Sequence, residues 1–552
     1  MTQRCSLIIP AQLQARILSH LFPGDHDEHG LIIVAGVHQQ DGHLRLLARD
    51  VHIARDGIDY VAGRYGYRML RAEFIQPVIR RCRQERLAYV AVHNHGGDDS
   101  VAFSRDDLRS HERGYPALLD LAEGLPVGAA VYARRAIAGD IWMPDGTRLP
   151  LAETRVLGTN IERLFDSPRR FINRDMQTHI GGDAHARQVL MFGEAGQRRL
   201  REATIGVIGA GGVGSLLIEY LARLGIGRLV IADKDYVDVT NLSRIVGATH
   251  EDATHKARKV NVAQRLIMQA NPRCEVEPHD EDFAVDAIAR QFLTCDFLFL
   301  AADSMRARLV FNAIVNQYFI PGIQIGSKVV PGADPQCLDH AFSVERWVLP
   351  GTNCLWCAGM ISPHQLALEA KTYQERRDQD YGTGAPNPSI ITINAIGASH
   401  AVNDFMMSYL QLHQATVAPN SRRFRHTTRD MVDELYTADP DCPECSDIRA
   451  SRFGRGDATA LPTIDRIPSR AGVPTMSKKD VHTVPNPSGK GWVNKVGGEV
   501  TSRHRTQENA ADRGREIARE NRSEHAIHRR DGTIGEKNSY GNDPNPPRDK
   551  NR

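Results

Sequence analysis

Three groups of residues in this 552-residue chain have the types and spacing to do chemistry. The first begins with Gly209-Ala210-Gly211-Gly212-Val213-Gly214, set between the apolar run Thr204–Ile208 and a helical stretch that reaches about Leu224. Glycines at a strand-to-helix turn let the backbone approach a phosphate at the positive end of a helix. Asp233 closes the next apolar run, Arg228–Ala232, where a carboxylate can bind ribose hydroxyls. So far the pattern says only nucleotide, and an NAD oxidoreductase stays open. The residues beyond it change the choice. Asp233-Lys234-Asp235 is followed by Asn241-Leu242-Ser243-Arg244, then by Lys256 and Lys259, then by Asp303 after the run Phe297–Ala301, with Arg308 behind it. Hydride transfer has no use for cations converging on phosphates, whereas adenylation of a carboxylate by ATP does. A carboxylate oxygen joins the α-phosphorus while pyrophosphate leaves, and Arg, Lys and Mg2+ stabilise the charge that builds there. Asp303 is expected to be a Mg2+ ligand or a nucleotide contact. Each charge taken singly reads equally well as solvated or salt-bridged; their joint order carries the argument.

The second group is Cys354-x-x-Cys357 with Cys442-x-x-Cys445, four thiolates at the spacing of a closed structural zinc site. A redox role for either pair is the alternative. The third is His93-Asn94-His95 after the apolar run Leu87–Val92, with Ser104 and Asp107 shortly after. Two histidines at i, i+2 leave a strand end on the same side, and with one carboxylate they make a three-ligand zinc site open to water. Glu28, just before the run Leu31–Val37, is placed to act as general base, and Ser104 to donate to an oxyanion. His26, His29, His111 and His255 lack such company and read as solvated.

The elements that position these groups follow from periodicity. Leu31–Val37 and His43–Ala48 read as strands about the turn Asp41-Gly42, Glu73–Arg83 as a helix and Leu87–Val92 as a buried strand. The stretch 160–450 is α/β in pattern, with a parallel strand–helix–strand unit at its start. Val260–Met268 continues as a helix, which favours Lys259 over Lys256 as the residue that opens it. Residues 451–477 are rich in Pro, Arg, Ser and Gly and read as a linker. Beyond them Val481–Val484 and Trp492–Val496 read as strands around an Asn486–Gly489 turn, Thr506–Asn521 as a helix capped by Thr506, and His525–Arg529 with Asp531-Gly532 as a hairpin. Residues 544–552 are left as a tail.

From about 184 to 447 the sequence resembles the ThiF/MoeB and ubiquitin-activating family. The residues that carry the resemblance are Arg187-Gln188, the glycine turn, Asp233-x-Asp235 with Asn241-Leu242-x-Arg244, the helix-opening lysine, Asp303 with Arg308, and the two cysteine pairs. The resemblance implies a Rossmann-like adenylation domain over 160–450 that binds ATP and Mg2+ through Gly209, Gly211, Gly212, Gly214, Asp233, Asp235, Asn241, Arg244, Lys259 and Asp303. It implies a zinc ion on Cys354, Cys357, Cys442 and Cys445, and a homodimer in which Arg187 acts across the subunit interface. Members often carry a further cysteine after the first pair that accepts the activated protein as a thioester. Here no cysteine lies between Cys357 and Cys442, where Tyr381, Gly382 and the Ala385–Ser389 stretch stand instead, and Cys337 reads as a semi-buried thiol. A thioester step is therefore in doubt, and the adenylate is free to pass to a conjugating enzyme, a thiol or an amine. Residues 1–155 resemble the JAB/JAMM isopeptidases, an α/β zinc domain with the pattern E…H-x-H…S-x-x-D. Here that pattern falls on Glu28, His93, His95, Ser104 and Asp107, with the loop 96–103 one residue longer than usual. Residues 478–543 resemble a small bacterial α+β domain family of unknown function through His482–Pro485, Gly491-Trp492 and His528–Gly541.

Together the resemblances imply a fused enzyme that matures, activates and later removes a ubiquitin-like protein ending in Gly. A sulfur-carrier protein as substrate, a small peptide or tRNA-linked carboxylate, and a non-catalytic scaffold are the alternatives. Bulk properties narrow the classes further. A formal net charge of +2 gives no bulk case for nucleic acid. Apolar runs stop short of the ~20 residues that a membrane helix needs. Gln12, Gln14 and Arg16 interrupt any leader, and nine cysteines in a chain this long are not a disulfide scaffold, so a cytoplasmic protein is expected.

Overall fold

A computed structural model describes residues 3–62, 68–168, 183–334, 337–352, 354–370, 388–414, 421–464, 481–486, 490–496, 499–521, 523–530 and 534–540. The chain forms two compact units, Met1–Arg466 and Ile467–Arg552.

The first unit opens with a barrel. Strands Gly30–Gln40 and His43–Ile53 pair antiparallel about a two-residue turn, Asp41-Gly42, both residues of which have positive φ. This turn matches the twist of the flanking strands, which is why the short Asp-Gly signal is sufficient. The sheet then runs through Ala88–Asn94, Val127–Tyr132, Ile137–Trp142 and Arg148–Leu157. Strand Arg4–Pro10 pairs with both His43–Ile53 and Arg148–Leu157, which closes the ring. Helices Ala11–Leu21, Ala72–Glu85 and Arg105–Ala122 complete it. Residues 1–155, expected as an α/β domain, thus combine three helices with a closed, mostly antiparallel barrel-like sheet. Strand Arg4–Pro10 has a partner on each side, and Ile161–Leu164 continues the sheet from Arg148–Leu157 as its edge strand.

The central part is an eight-stranded sheet. Strands Glu275–His279, Arg228–Ala232, Thr204–Ile208, Phe297–Leu300 and Gly322–Pro331 lie side by side and parallel. Leu338–Val348, Ser421–Arg425 and Asp430–Glu434 extend it antiparallel. Strand order runs outward in both directions from Thr204–Ile208, the Rossmann-like arrangement, with helices Gly212–Leu224, Lys259–Ala270, Met305–Tyr318 and Ile391–Tyr409 packed on it.

Barrel and sheet share one apolar core. Ile8, Leu47, Leu157 and Ile161 of the barrel are buried among Leu200, Ile205, Phe297, Phe299 and Phe405. Around that seam Arg155 pairs with both Glu153 and Asp296, and Arg45 donates to the Leu293 carbonyl at 2.7 Å. Segment 442–464 straps the two together. Arg49 of the barrel donates to the carbonyls of Phe453 and Ile448, and Asp457 N donates to Val37 O at 2.8 Å. The expected linker 451–477 is therefore corrected over 451–464, where Phe453, Leu461 and Thr463 are buried; residues 465–477 lie outside the described residues.

The second unit is a five-stranded sheet, ordered Glu499–His504, Trp492–Val496, Val481–Pro485, Glu524–His528 and Ile534–Ser539, with helix Gln507–Asn521 against it. Thr506 Oγ1 accepts the Asn509 N–H at 3.3 Å, as its capping pattern predicts. Strand Glu499–His504 has no counterpart in the sequence expectations. Among the described residues, no helix is long and apolar enough to cross a membrane.

Candidate functional site

A cavity of about 470 Å3 opens at the C-terminal ends of the parallel strands, where the strand order reverses. Gly209, Gly211 and Gly212 form one wall, and Arg244, Lys259, Asp233, Asp235 and Asp303 line it. The glycines divide by role. A Cβ on Gly214 would lie 1.8 Å from Gly209 O, so this glycine lets helix and strand pack and is not in the cavity lining, which corrects its expected ligand role. A Cβ on Gly211 would meet nothing within 4 Å. The protein leaves that space open, and it faces the cavity, so the residues present fit a phosphate there.

Asp233 holds the turn in shape: its carboxylate accepts the N–H of Ala210 at 2.7 Å and of Asp235 at 2.9 Å. Burial pushes the Asp233 carboxyl above its ordinary value, against the pull of Lys259. Lys259 Nζ reaches Asp235 at 2.7 Å, whereas Lys256 pairs with Asp238 and is outside the lining. Asn241 also departs from expectation. Its side chain accepts the Asp238 N–H in a capping box, and it does not line the cavity. Arg244 is fixed by the Thr240 carbonyl at 2.7 Å. Behind Asp303, the Glu369 carboxylate accepts the N–H groups of Met305 and Arg306 at 2.7 and 3.0 Å, which anchors the helix start. Arg187 is exposed on helix Ala186–Glu202 and is not brought to the cavity within this chain; Leu190 and Met191, 87% and 59% exposed, lie on the same helix.

Sequence reading missed one wall. Gln324, Ser327, Ser389 and Asn394 line the cavity from a strand and from the start of a helix far along the chain. Asn394 is buried, accepts from Ser327 Oγ at 2.6 Å and donates to Ser389 at 3.1 Å. No local motif marks these residues. The expected 381–387 stretch lies outside the described residues.

The four cysteines of the two pairs come together with their sulfurs within 4.8 Å of one another. Cys354 and Cys442 lie 3.8 Å apart, and Cys357 and Cys445 3.7 Å. Zinc–sulfur bonds of about 2.3 Å in a tetrahedron set sulfurs about 3.8 Å apart, so this donor set fits zinc. Of the remaining cysteines, Cys5, Cys82, Cys274 and Cys295 are buried; Cys337 is exposed, not semi-buried as expected.

In the barrel, His93, His95 and Asp107 form a second cluster. The two Nε2 atoms are 3.2 Å apart, and Asp107 oxygens lie 3.6 Å from His93 and 3.4 Å from His95. His95 Nδ1 is bonded to the Ala102 carbonyl at 3.1 Å, which leaves Nε2 to face the cluster. Glu28 Oε1 is 3.8 Å from His95 Nε2. Ser104 caps helix Arg105–Ala122: its Oγ accepts from Asp107 N at 3.1 Å, and Asp107 answers by accepting Ser104 N–H at 2.8 Å. The hydroxyl proton of Ser104 keeps its donor capacity. Burial raises the Asp107 carboxyl, but the two imidazoles and Ser104 outweigh it and hold the group well below its ordinary value. Two histidines expected to be solvated are buried: His29 binds Asp25 at 2.9 Å, and His111 stacks on Tyr115 beside Asp140.

In comparison with known proteins, residues 185–444 match the model of the ThiF family. Residues 481–540 match a family described as an uncharacterized protein conserved in bacteria, DUF2188. The sulfur carrier protein ThiS adenylyltransferase of Bacillus subtilis is 33% identical over 194 residues, covering 33% of this chain and 56% of that protein. The tRNA threonylcarbamoyladenosine dehydratase of Bacillus subtilis is 42% identical over 91 residues, covering 16% and 35%. The SAMP-activating enzyme E1 of Haloferax volcanii is 27% identical over 293 residues, covering 52% and 95%. The chain thus spans about half the length of the first of these relatives and about a third of the second.

Proposed function

We propose that the chain adenylates the C-terminal Gly carboxylate of a ubiquitin-like or sulfur-carrier protein with ATP. The observation that carries this reading is the open space at Gly211 facing a cavity onto which Arg244, Lys259 and Asp303 converge. The names of two relatives, a sulfur-carrier adenylyltransferase and a SAMP-activating enzyme, support the substrate class. In the reaction a carboxylate oxygen of the carrier attacks the α-phosphorus. The bond from that phosphorus to the bridging oxygen breaks, and pyrophosphate leaves with the electron pair. Arg244 and Lys259 neutralise the phosphates, and backbone N–H groups of the glycine turn orient them. Asp303 is the residue to hold Mg2+, which supplies further charge neutralisation. Arg187 completes the site from the partner of a homodimer, a reading supported by its exposure and by the bare Leu190 and Met191 beside it. The segment between the cysteine pairs offers no thioester cysteine, so the adenylate passes to a conjugating enzyme, a thiol or an amine. The test is ATP–pyrophosphate exchange by the full chain with Gly-ended carriers. Exchange that requires both the terminal carboxylate and Asp303 supports the reading. No exchange from folded, zinc-loaded protein overturns it.

A second activity is proposed for the barrel, on the observation that Glu28 stands 3.8 Å from the His93/His95/Asp107 cluster. The cluster fits zinc, which when bound acidifies water and polarises a carbonyl. Glu28 takes the proton from the attacking water and returns it to the leaving amine, while Ser104 donates to the developing oxyanion. This is JAB/JAMM-type isopeptidase chemistry, and cleavage of a fluorogenic Gly-amide that is lost in Glu28→Gln would test it.

A further inference from the structure

The geometry points to a second ligand site, for a small molecule that ends in a phosphate monoester, in a pocket built by His185, Arg201 and Arg273. It lies outside the nucleotide cavity and is independent of the adenylation reading.

The pocket, of about 250 Å3, opens between the loops that lead into strands Arg228–Ala232 and Glu275–His279. It is thus at the N-terminal ends of the parallel strands, whereas the glycine turn and its cavity stand at their C-terminal ends. Five strand residues at about 3.3 Å each put about 16 Å of sheet between the two. No residue lines both.

Two glycines keep the floor thin. Gly225 closes helix Gly212–Leu224 with a φ of 83°, and a Cβ there would lie 2.6 Å from Gln197 Nε2 and 2.8 Å from His185 Nε2. A Cβ on Gly227 would lie 1.7 Å from Arg201 O. Without those two carbons, helix Ala186–Glu202 and the His185 that precedes it press against this loop. His185 and Arg201 are thereby carried to the pocket wall, and Arg273 joins them from the loop after helix Lys259–Ala270.

The two guanidiniums have no structural task there. Carbonyls at helix C-termini often recruit cations, but here neutral amides have taken that place. Gln188 donates to the Arg223 carbonyl at 3.0 Å, Gln197 to that of Leu224 at 2.9 Å, and Asn271 to that of Ile226 at 3.1 Å. Among the described residues, no carboxylate lines the pocket, and neither the Arg201 nor the Arg273 side chain has a hydrogen-bond or ion-pair partner. Arg201 is nevertheless half-buried. Burial pushes the His185 imidazole below its ordinary value, and Arg201 and Arg273 push it further, against the pull of the Arg223 carbonyl.

Cations gathered without a counter-charge repel one another, and an anion between them removes that repulsion. Phosphate suits the arrangement, because each planar guanidinium fork can pair with two of its oxygens. Size selects the rest of the ligand. The volume is below the ~300 Å3 at which sites for drug-sized molecules begin, so the pocket takes a compact phosphorylated molecule.

The test follows the phosphorus resonance of methyl phosphate, titrated into full-length protein saturated with a non-hydrolysable ATP analogue that fills the nucleotide cavity. One saturable site per chain is expected. Dimethyl phosphate, which has the single charge of a nucleic-acid backbone, should bind at least fivefold more weakly. Arg273 is exposed on a loop, so Arg273→Gln should keep the melting temperature, and the affinity for the ATP analogue within twofold, while weakening methyl phosphate tenfold or more. No saturable binding, or binding that survives unchanged in Arg273→Gln, overturns the proposal. Equal affinity for the two esters overturns it in favour of a nucleic-acid backbone.

Discussion

The ammonium of Lys259 lies 2.7 Å from the Asp235 carboxylate and 3.9 Å from that of Asp233. One cation thus stands between two anions at the mouth of the glycine turn. Only Asp233 is committed to the fold, through its two backbone N–H bonds. Asp235 is exposed and free to release Lys259 to a phosphate. Lys259→Ala should therefore lower pyrophosphate exchange by about 10²–10³-fold, the usual cost of one lost charge-stabilising donor. Its melting temperature should stay near that of the parent protein. Exchange within a factor of three of the parent would remove Lys259 from the reaction.

Gly211→Ala is a second test of the same cavity. The added methyl meets no protein atom within 4 Å. The variant should fold normally and bind ATP at least tenfold more weakly by calorimetry. Unchanged ATP affinity would mean that the open space is not the phosphate's.

Metal content separates the two clusters. Wild-type protein prepared with excess zinc should carry two ions per chain by mass spectrometry, His93→Ala one, and Cys442→Ser one. The consequences differ. His93→Ala leaves exchange intact, because its cluster sits at the end of a barrel strand that folds without it. Cys442→Ser lowers the melting temperature sharply, because Cys442 begins the strap that binds Arg49 and Val37 of the barrel. Equal stability of the two variants would refute this assignment.

The seam between barrel and sheet makes stability fall in acid. Glu153 is buried; burial raises its carboxyl, but Arg155, Arg163 and Arg4 outweigh that and hold it far below its ordinary 4.5. Asp296 is half-buried; burial raises its carboxyl too, but Arg155, the Thr204 N–H and Arg45 outweigh that and hold it low. Folded pKa values below the unfolded ones mean stability that is complete above about pH 5 and is lost as pH falls. Asp296→Ala, which leaves the half-buried Arg155 short of one of its two partners, should cost about 2–4 kcal/mol in denaturant unfolding. A cost under 1 kcal/mol would show the seam to be loose.

Glu345 acts in the opposite sense. Burial and the nearby Asp404 push its carboxyl up to about 8 against the pull of Arg422, 3.7 Å from Oε1, and neither oxygen has a hydrogen-bond partner. The folded state keeps a proton that the unfolded chain loses near 4.5, so stability declines as pH rises between those values. Glu345→Gln should raise the melting temperature more at pH 8.5 than at pH 5. The same shift at both would show that the proton is not the cause.

What the sequence disclosed depended on how local the signal was. Strands Thr204–Ile208 and Arg228–Ala232 and helix Gly212–Leu224 are as expected from short-range pattern, because glycine turn, strand and helix are contiguous. His93, His95 and Asp107 could be grouped because they lie within one loop of each other. Asn394 and Gln324 could not: their relation to the glycine turn exists only once helix Ile391–Tyr409 lies on the sheet. The strap was misread for a related reason. Its carbonyls are bonded by side chains such as Arg49 and Gln317, not by a ladder, so 451–464 carries no period. Buried His29 and His111 looked solvated because their partners Asp25 and Asp140 leave no spacing rule behind.

The core shared by barrel and sheet has a practical consequence for separating the two proposed activities. Cutting the chain ahead of residue 185 would strip Ile8, Leu47, Leu157 and Ile161 from their places and leave Phe297, Phe299 and Leu200 facing water. Either half expressed alone would carry an adhesive wound where its neighbour had been, and silence from such a fragment would report its aggregation and not its chemistry. Dissection here belongs to single side chains, with the scaffold left whole.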